Sequence, residues 1–190
     1  MNILDWLQNI DAGILLFIQE HMRIEAFNGF WKAITFLGNG GWFWLVLGLL
    51  LLIPQKTRKI GLTALFSILI GFLITNVVLK NWIARPRPYV TVSSICPLIP
   101  KPGEFSFPSG HTCVSFASGF IYYRMAPKKY GIPAMILAGL IAFSRLYVGV
   151  HYPGDVLGGI AAAWVGSMLA YYFMNKSRFL QKKRDMTSGG

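Results

Sequence analysis

The sequence is short of charge, poorer still in acid, and nearly without cysteine. Asp, Glu, Lys and Arg make up 13% of its 190 residues, against about 25% in soluble domains. No charged residue occurs from Ala33 to Gln55, a run of 23, from Gly61 to Leu79, a run of 19, or from Val156 to Asn175, a run of 20. Helical runs of this length cross a hydrocarbon core of about 30 Å, which excludes a soluble globular protein. A content of 54% hydrophobic residues likewise excludes a disordered chain. Two cysteines, Cys96 and Cys113, cannot define a disulfide framework, and neither is assigned a metal or redox role.

Only 7 acidic residues stand against 18 Lys and Arg, a net charge of +11. The bases gather at the ends of apolar runs: Lys56, Arg58 and Lys59, then Arg124, Lys128 and Lys129, then Lys176, Arg178, Lys182, Lys183 and Arg184. That distribution follows the positive-inside rule, so a membrane rather than nucleic acid is the expected partner. The first 22 residues hold no Lys or Arg, so no cleavable signal peptide is expected. Ile3 to Met22 is apolar in patches but carries Asp5, Asp11 and Glu20, which suits a helix lying in the membrane interface.

The expected fold is all-α, a helical membrane bundle in one domain over residues 1–186. Five spans are read: Ala33–Ile53, Gly61–Leu79, Pro108 to about Tyr123, Gly131 to about Ser144, and Pro153 to about Met174. A crossing by the N-terminal segment makes six. Thr187 to Gly190 is read as a flexible tail or a cloning remnant. By alternation the three basic clusters share one side, the cytoplasmic one. The Pro-rich connection 81–107 and the short connection 145–152 then lie together on the opposite, outer face. Structureless connections as long as the first are uncommon and often functional.

Chemistry collects on that outer face. Lys80 ends the second span, with Arg85 and Arg87 just after it. Ser109, Gly110 and His111 open the third, Arg145 ends the fourth, and His151 and Asp155 open the fifth. Ionisable groups at membrane depth are costly and point to function. Cations converging at one end of a bundle need an anion. Phosphate suits the Arg fork, the Lys point charge and the N–H groups of two helix starts. Ser109 is a candidate N-cap, and Pro153 fits a first helical position. Asp155 in the first turn can reach back to His151. A carboxylate on one ring nitrogen leaves the other free to attack, while His111 is placed to protonate a leaving oxygen. No metal-ligand cluster is apparent, and no cofactor is expected. Each piece alone has a plainer reading: a snorkelling anchor, a turn, a structural ion pair. A transporter for anionic substrates and a catalytically silent scaffold remain alternatives at this point.

These residues resemble the type 2 phosphatidic acid phosphatase superfamily of membrane lipid phosphatases. Lys80 to Arg87-Pro88 matches its Lys-x6-Arg-Pro element, Pro108-Ser109-Gly110-His111 its Pro-Ser-Gly-His element, and Ser144-Arg145 through His151 to Asp155 its Ser-Arg-x5-His-x3-Asp element. The resemblance covers roughly Leu37 to Met174. It implies a metal-independent phosphohydrolase in which His151 is phosphorylated, Asp155 orients it and His111 protonates the leaving group. Lys80, Arg87, Ser109, Gly110 and Arg145 would hold the phosphoryl oxygens, with Arg85, outside the motif, as a headgroup contact. The small bacterial members act on undecaprenyl diphosphate, phosphatidylglycerophosphate or phosphatidic acid, and the polyprenyl diphosphate is ranked first. The superfamily also includes soluble vanadate-dependent haloperoxidases, which this hydropathy disfavours.

Overall fold

The structure, a computed structural model, describes the backbone of residues 3–188 and the side chains of residues 6–176. Gly189 and Gly190, the end of the expected tail, lie outside the described residues, and the last helix continues to Ser188. All regular elements among the described residues are helical. In order they are α1 (Ile3–Phe17), extended by a π-helical turn Ile18–Met22, α2 (Glu25–Leu37), α3 (Trp42–Leu50) and α4 (Gln55–Phe72). A second π-helical turn, Leu73–Leu79, joins α4 to α5 (Lys80–Ile83). Then come α6 (Pro88–Thr91), α7 (Gly110–Met125), α8 (Lys128–Tyr147) and α9 (Pro153–Ser188).

Three of these stretches are long and apolar enough to cross a membrane: Gln55–Thr91, Lys128–Tyr147 and Pro153–Lys176. A fourth is reached if the bent pair α2–α3 counts as one. The chain is thus a multi-pass membrane protein. The expected straight span Ala33–Ile53 is instead broken, its halves meeting at 47°. The cause is local. Gly40 and Gly41 adopt φ of +58° and +70°, a left-handed backbone that glycine takes without steric cost. Gly110–Met125 has 16 residues and spans about 24 Å at 1.5 Å per residue, so it falls short of that length.

Helices α4, α7 and α9 pack together around α7, with α8 on its other side. Lipid tails are as apolar as leucine, so close packing of small residues holds such helices together. Cys113 and Ala117 of α7 meet Ala162 and Ala163 of α9 in one buried cluster. A second core gathers Trp44, Ala64, Ile68, Ile121, Tyr122, Ala138 and Ile141, and the Trp44 indole N–H donates to Ser115 Oγ at 2.9 Å.

The two ends of the bundle differ. Lys59 Nζ donates to Asn175 Oδ1 at 2.5 Å, and the Arg124 guanidinium lies 4.0 Å from the centre of the Tyr171 ring. The basic loops therefore share one end. The other end gathers the C-terminus of α5, the N-termini of α7 and α9 and the C-terminus of α8. The N-terminal segment crosses this second end. Gln8 Nε2 donates to Tyr152 Oη at 2.9 Å, Gln19 Nε2 to Ser94 O at 2.8 Å and Arg23 Nε to Tyr147 O at 2.7 Å.

Candidate active site

A cavity of about 370 Å³ opens at that second end, and Lys80, Arg87, Glu104, Gly110, His111, Arg145 and His151 are among the residues lining it. Three cations face one carboxylate there, so the cavity favours an anion. Arg145 is buried. Its Nη1 donates to Thr35 Oγ1 at 2.6 Å, while its Nε has no hydrogen-bond partner. A buried guanidinium N–H without a partner is expensive.

His151 stands on the turn between α8 and α9. Its Nδ1 lies 3.4 Å from Asp155 Oδ2, and its Nε2 lies 3.2 Å from Arg87 Nη1. A guanidinium only donates. Nε2 therefore carries the lone pair, and the ring proton sits on Nδ1, toward the carboxylate. Burial pushes His151 down to about 4, with the hydrogen bond to Asp155 opposing and the Arg145 and Arg87 charges adding to the drop. At neutral pH the ring is uncharged, with one nitrogen ready to act as a nucleophile.

Asp155 is fully buried and does not line the cavity. Its Oδ2 also accepts from Ser106 Oγ at 2.5 Å and from the Tyr152 N–H at 2.8 Å. Pro153 opens α9 as its first residue, so Asp155 falls in the first turn, where the helix dipole favours a carboxylate.

Ser109 caps α7. Its hydroxyl accepts from Thr112 Oγ1 at 2.9 Å and from the Thr112 N–H at 3.4 Å, and its own N–H donates to the Asp155 carbonyl at 2.9 Å. It stands behind the lining rather than in it, while Gly110 and His111 face the cavity. His111 Nε2 pairs with Asn39 Oδ1 at 2.8 Å.

Several residues that sequence reasoning did not single out belong here. Glu104, on the long loop, pairs with Lys80 Nζ, and that contact holds its carboxyl below the usual range. Asn76 Oδ1, in the π-helical turn, accepts from Lys80 at 3.0 Å. Asn39 sits in the break between α2 and α3. Arg85 is not in the cavity at all. Its Nη1 donates to Asp155 Oδ1 at 2.9 Å, so the expected headgroup contact gives way to an inward ion pair. Among the described residues no group of three His, Cys, Asp or Glu side chains is placed to hold a metal ion.

Residues 60–179 match the model of the PAP2 superfamily. The chain is 35% identical over 162 residues to an undecaprenyl-diphosphatase of Sulfolobus acidocaldarius, covering 83% of this chain and 77% of that one. It is 36% identical over 168 residues to the undecaprenyl-diphosphatase BcrC of Bacillus subtilis, covering 87% and 76%. Its fold matches the crystal structure of a transmembrane PAP2 type phosphatidylglycerolphosphate phosphatase from Bacillus subtilis, with a TM-score of 0.72 and 31% identity over 90% of this chain and 87% of that one.

Proposed function

The chain belongs to the PAP2 superfamily, and from that membership we propose that this membrane lipid phosphatase removes the terminal phosphate of a polyprenyl diphosphate, undecaprenyl diphosphate first, through a phosphohistidine at His151. The observation that carries the reading is one cavity in which the unprotonated Nε2 of His151 touches Arg87, with Lys80 and Arg145 on the same lining. The named relatives above act on undecaprenyl diphosphate. Phosphatidylglycerophosphate and phosphatidic acid remain the competing substrates, the first favoured by the name of the solved relative.

The chemistry follows from the geometry. The terminal phosphoryl group sits against Lys80, Arg87, Arg145 and the N–H groups that open α7. These neutralise its charge, and such pre-set donors supply most of the rate in phosphoryl transfer. Arg87 turns from the His151 lone pair to the phosphoryl oxygens. Nε2 forms a bond to phosphorus, and the bond from phosphorus to the bridging oxygen breaks. His111 gives a proton to the departing lipid phosphate. Asp155 stabilises the imidazolium-like ring. Water then attacks phosphorus and gives a proton to His111, the N–P bond breaks, and inorganic phosphate leaves with His151 and His111 both restored. None of these steps calls on a metal.

The same reading assigns five crossings: the bent pair α2–α3, then α4, α7, α8 and α9. Helix α1 lies in the outer interface, because its contacts stay at the cavity end. The basic loops mark the cytoplasmic side, so the cavity opens on the extracytoplasmic face of the cell membrane. Phe72, Gly40, Gly41 and Val114 line the cavity and offer the prenyl chain an apolar exit toward the bilayer.

The test is phosphate release by purified protein from a panel of lipid mono- and diphosphates, with and without EDTA. Release from the prenyl diphosphate at the highest kcat/KM is the expected result. No release from any of them overturns the reading in favour of a transporter or a scaffold.

A further inference from the structure

The carboxylate behind His151 is held from a direction that the cavity does not reach. Arg85 Nη1 donates to Asp155 Oδ1 at 2.9 Å, and its Nη2 donates to Asp11 Oδ2 at 2.7 Å and to Gln8 Oε1 at 2.6 Å. Asp11 Oδ1 in turn accepts the N–H of Gly154 at 2.9 Å, at the start of the helix that carries Asp155. The Arg85 guanidinium also lies 4.1 Å from the centre of the Tyr152 ring, and the Tyr152 hydroxyl is bonded to Gln8. The groups stand in a line, Asp11, Arg85 and Asp155 with alternating charge, and then the His151 ring.

Sequence placement shows how specific this assembly is. Arg85 follows Ala84, whose backbone is left-handed at φ +48°. That turn ends α5 and lets Arg85 and Arg87 leave in different directions, one to the back of Asp155 and one to the face of His151. The loop is tied down by the Ser106 N–H donating to Arg85 O at 2.8 Å. Gly154 admits the clamp, because a Cβ there would lie 2.7 Å from Asp11 Oδ2 and 3.3 Å from Arg85 Nη1.

We propose that Arg85 and Asp11 are positioning residues for the reaction: they clamp Asp155 from behind and so set the orientation and proton affinity of His151 from the N-terminal helix. The inference rests on His151 being the nucleophile. Arg85 draws on the negative charge of Asp155 and weakens the hold of that carboxylate on an imidazolium. Asp11 shares Arg85 and limits that draw. His151 is otherwise faced by Arg87 from the loop after α5, Arg145 from α8, His111 from α7, and Lys80 and Glu104 across the cavity. Among the described residues, the side-chain hydrogen bonds and ion pairs of Arg85 and Asp11 go to Gln8, Gly154 and Asp155 and to each other, and to none of these five.

The two residues therefore have opposite signatures. Arg85→Ala leaves Asp155 uncompensated, so His151 protonates more readily. The acid limb of kcat/KM moves up by about one pH unit or less. Outer partners of metal-bound histidines are typically worth about 10- to 100-fold in activity; a loss of up to that size is expected here, appearing in kcat with KM within about threefold. Asp11→Asn keeps one accepting oxygen in place of two and removes the negative charge, so Arg85 acts more fully on Asp155 and the acid limb moves down.

The experiment measures pH profiles of phosphate release from farnesyl diphosphate by the purified full chain. It compares wild type, Arg85→Ala, Arg85→Lys, Asp11→Asn and His151→Ala. Opposite displacements for Arg85→Ala and Asp11→Asn, with an intermediate limb for Arg85→Lys, are expected. Limbs that stay put or move together overturn the clamp, as does a raised KM at unchanged kcat for Arg85→Ala, which makes Arg85 a substrate contact. If Arg85→Ala fails to fold, Arg85→Lys and Asp11→Asn carry the same opposed comparison. Activity surviving in His151→Ala is the separate result that removes the nucleophile assignment itself.

Discussion

Arg87 Nη1 stands 3.2 Å from the His151 nitrogen that faces away from Asp155. The same Arg87 donates from Nε to the Glu104 carbonyl at 2.6 Å and from Nη1 to the Val150 carbonyl at 2.9 Å. The guanidinium thus rests on the lone pair that the proposed mechanism sends to phosphorus, and a bound phosphoryl group would give it a stronger anionic partner. In that proposed mechanism one residue covers the nucleophile in the resting state and stabilises charge in the reacting one.

The pH dependence follows from His151. Attack needs the neutral ring, and burial holds the folded protein's His151 down to about 4. Activity is therefore present above that value and lost as pH falls through it. The acid limb of kcat/KM for the free enzyme is expected well below 6.5, the ordinary histidine value. A limb at or above 6.5 contradicts a buried neutral nucleophile.

Glu104 pairs with Lys80, the residue that the proposed mechanism gives to the incoming phosphate. Its side chain is 70% exposed, so the pair is screened, and such contacts are worth about 0.2–1 kcal/mol. Glu104→Gln is expected to lower KM about two- to fivefold while kcat stays near wild type. Steady-state kinetics on a prenyl diphosphate read this directly. A higher KM would make Glu104 a positive part of substrate binding.

His111 is distinguishable from His151 by leaving group. A general acid is typically worth about 10²–10⁴ in rate, most where the departing oxygen is a basic alkoxide. His111→Ala should damage hydrolysis of a lipid monoester far more than that of an aryl phosphate, and leave some activity on a diphosphate. Equal losses on all three reduce His111 to a binding residue.

Topology has a native probe. Cys96 is exposed at the cavity end and Cys113 is buried. An impermeant maleimide should label intact cells at Cys96. In a Cys96→Ser background, Thr57→Cys or Lys128→Cys should stay unlabelled. The reverse pattern puts the cavity on the cytoplasmic side.

The motif residues were legible because each follows from a local rule. Pro153 and Asp155 mark a helix start, Ser109 marks another, and ionisable groups at the ends of apolar runs stand out by cost alone. Lys80, Arg87, His111, Arg145 and His151 accordingly share one cavity. The break at Gly38-Asn39-Gly40-Gly41 carried a visible glycine signal that the unbroken hydropathy of Ala33–Ile53 masked. Glu104, Asn76 and Ser106 had no such signal, since each is a single polar residue whose meaning comes from partners across the fold. Arg85 shows the limit most plainly. Its spacing put it among the cations, but the left-handed turn at Ala84 and the distant Asp11, 74 positions away, decide where it points.

The central claim is a covalent bond between phosphorus and His151. Rapid quenching of purified protein with a prenyl diphosphate labelled at its terminal phosphorus tests it most directly. The account predicts an acid-labile, base-stable label on the wild-type chain that maps to His151, decays on the time scale of turnover and is missing from His151→Ala. Turnover without any label on the chain, together with inversion at a chirally labelled phosphorus, would contradict it.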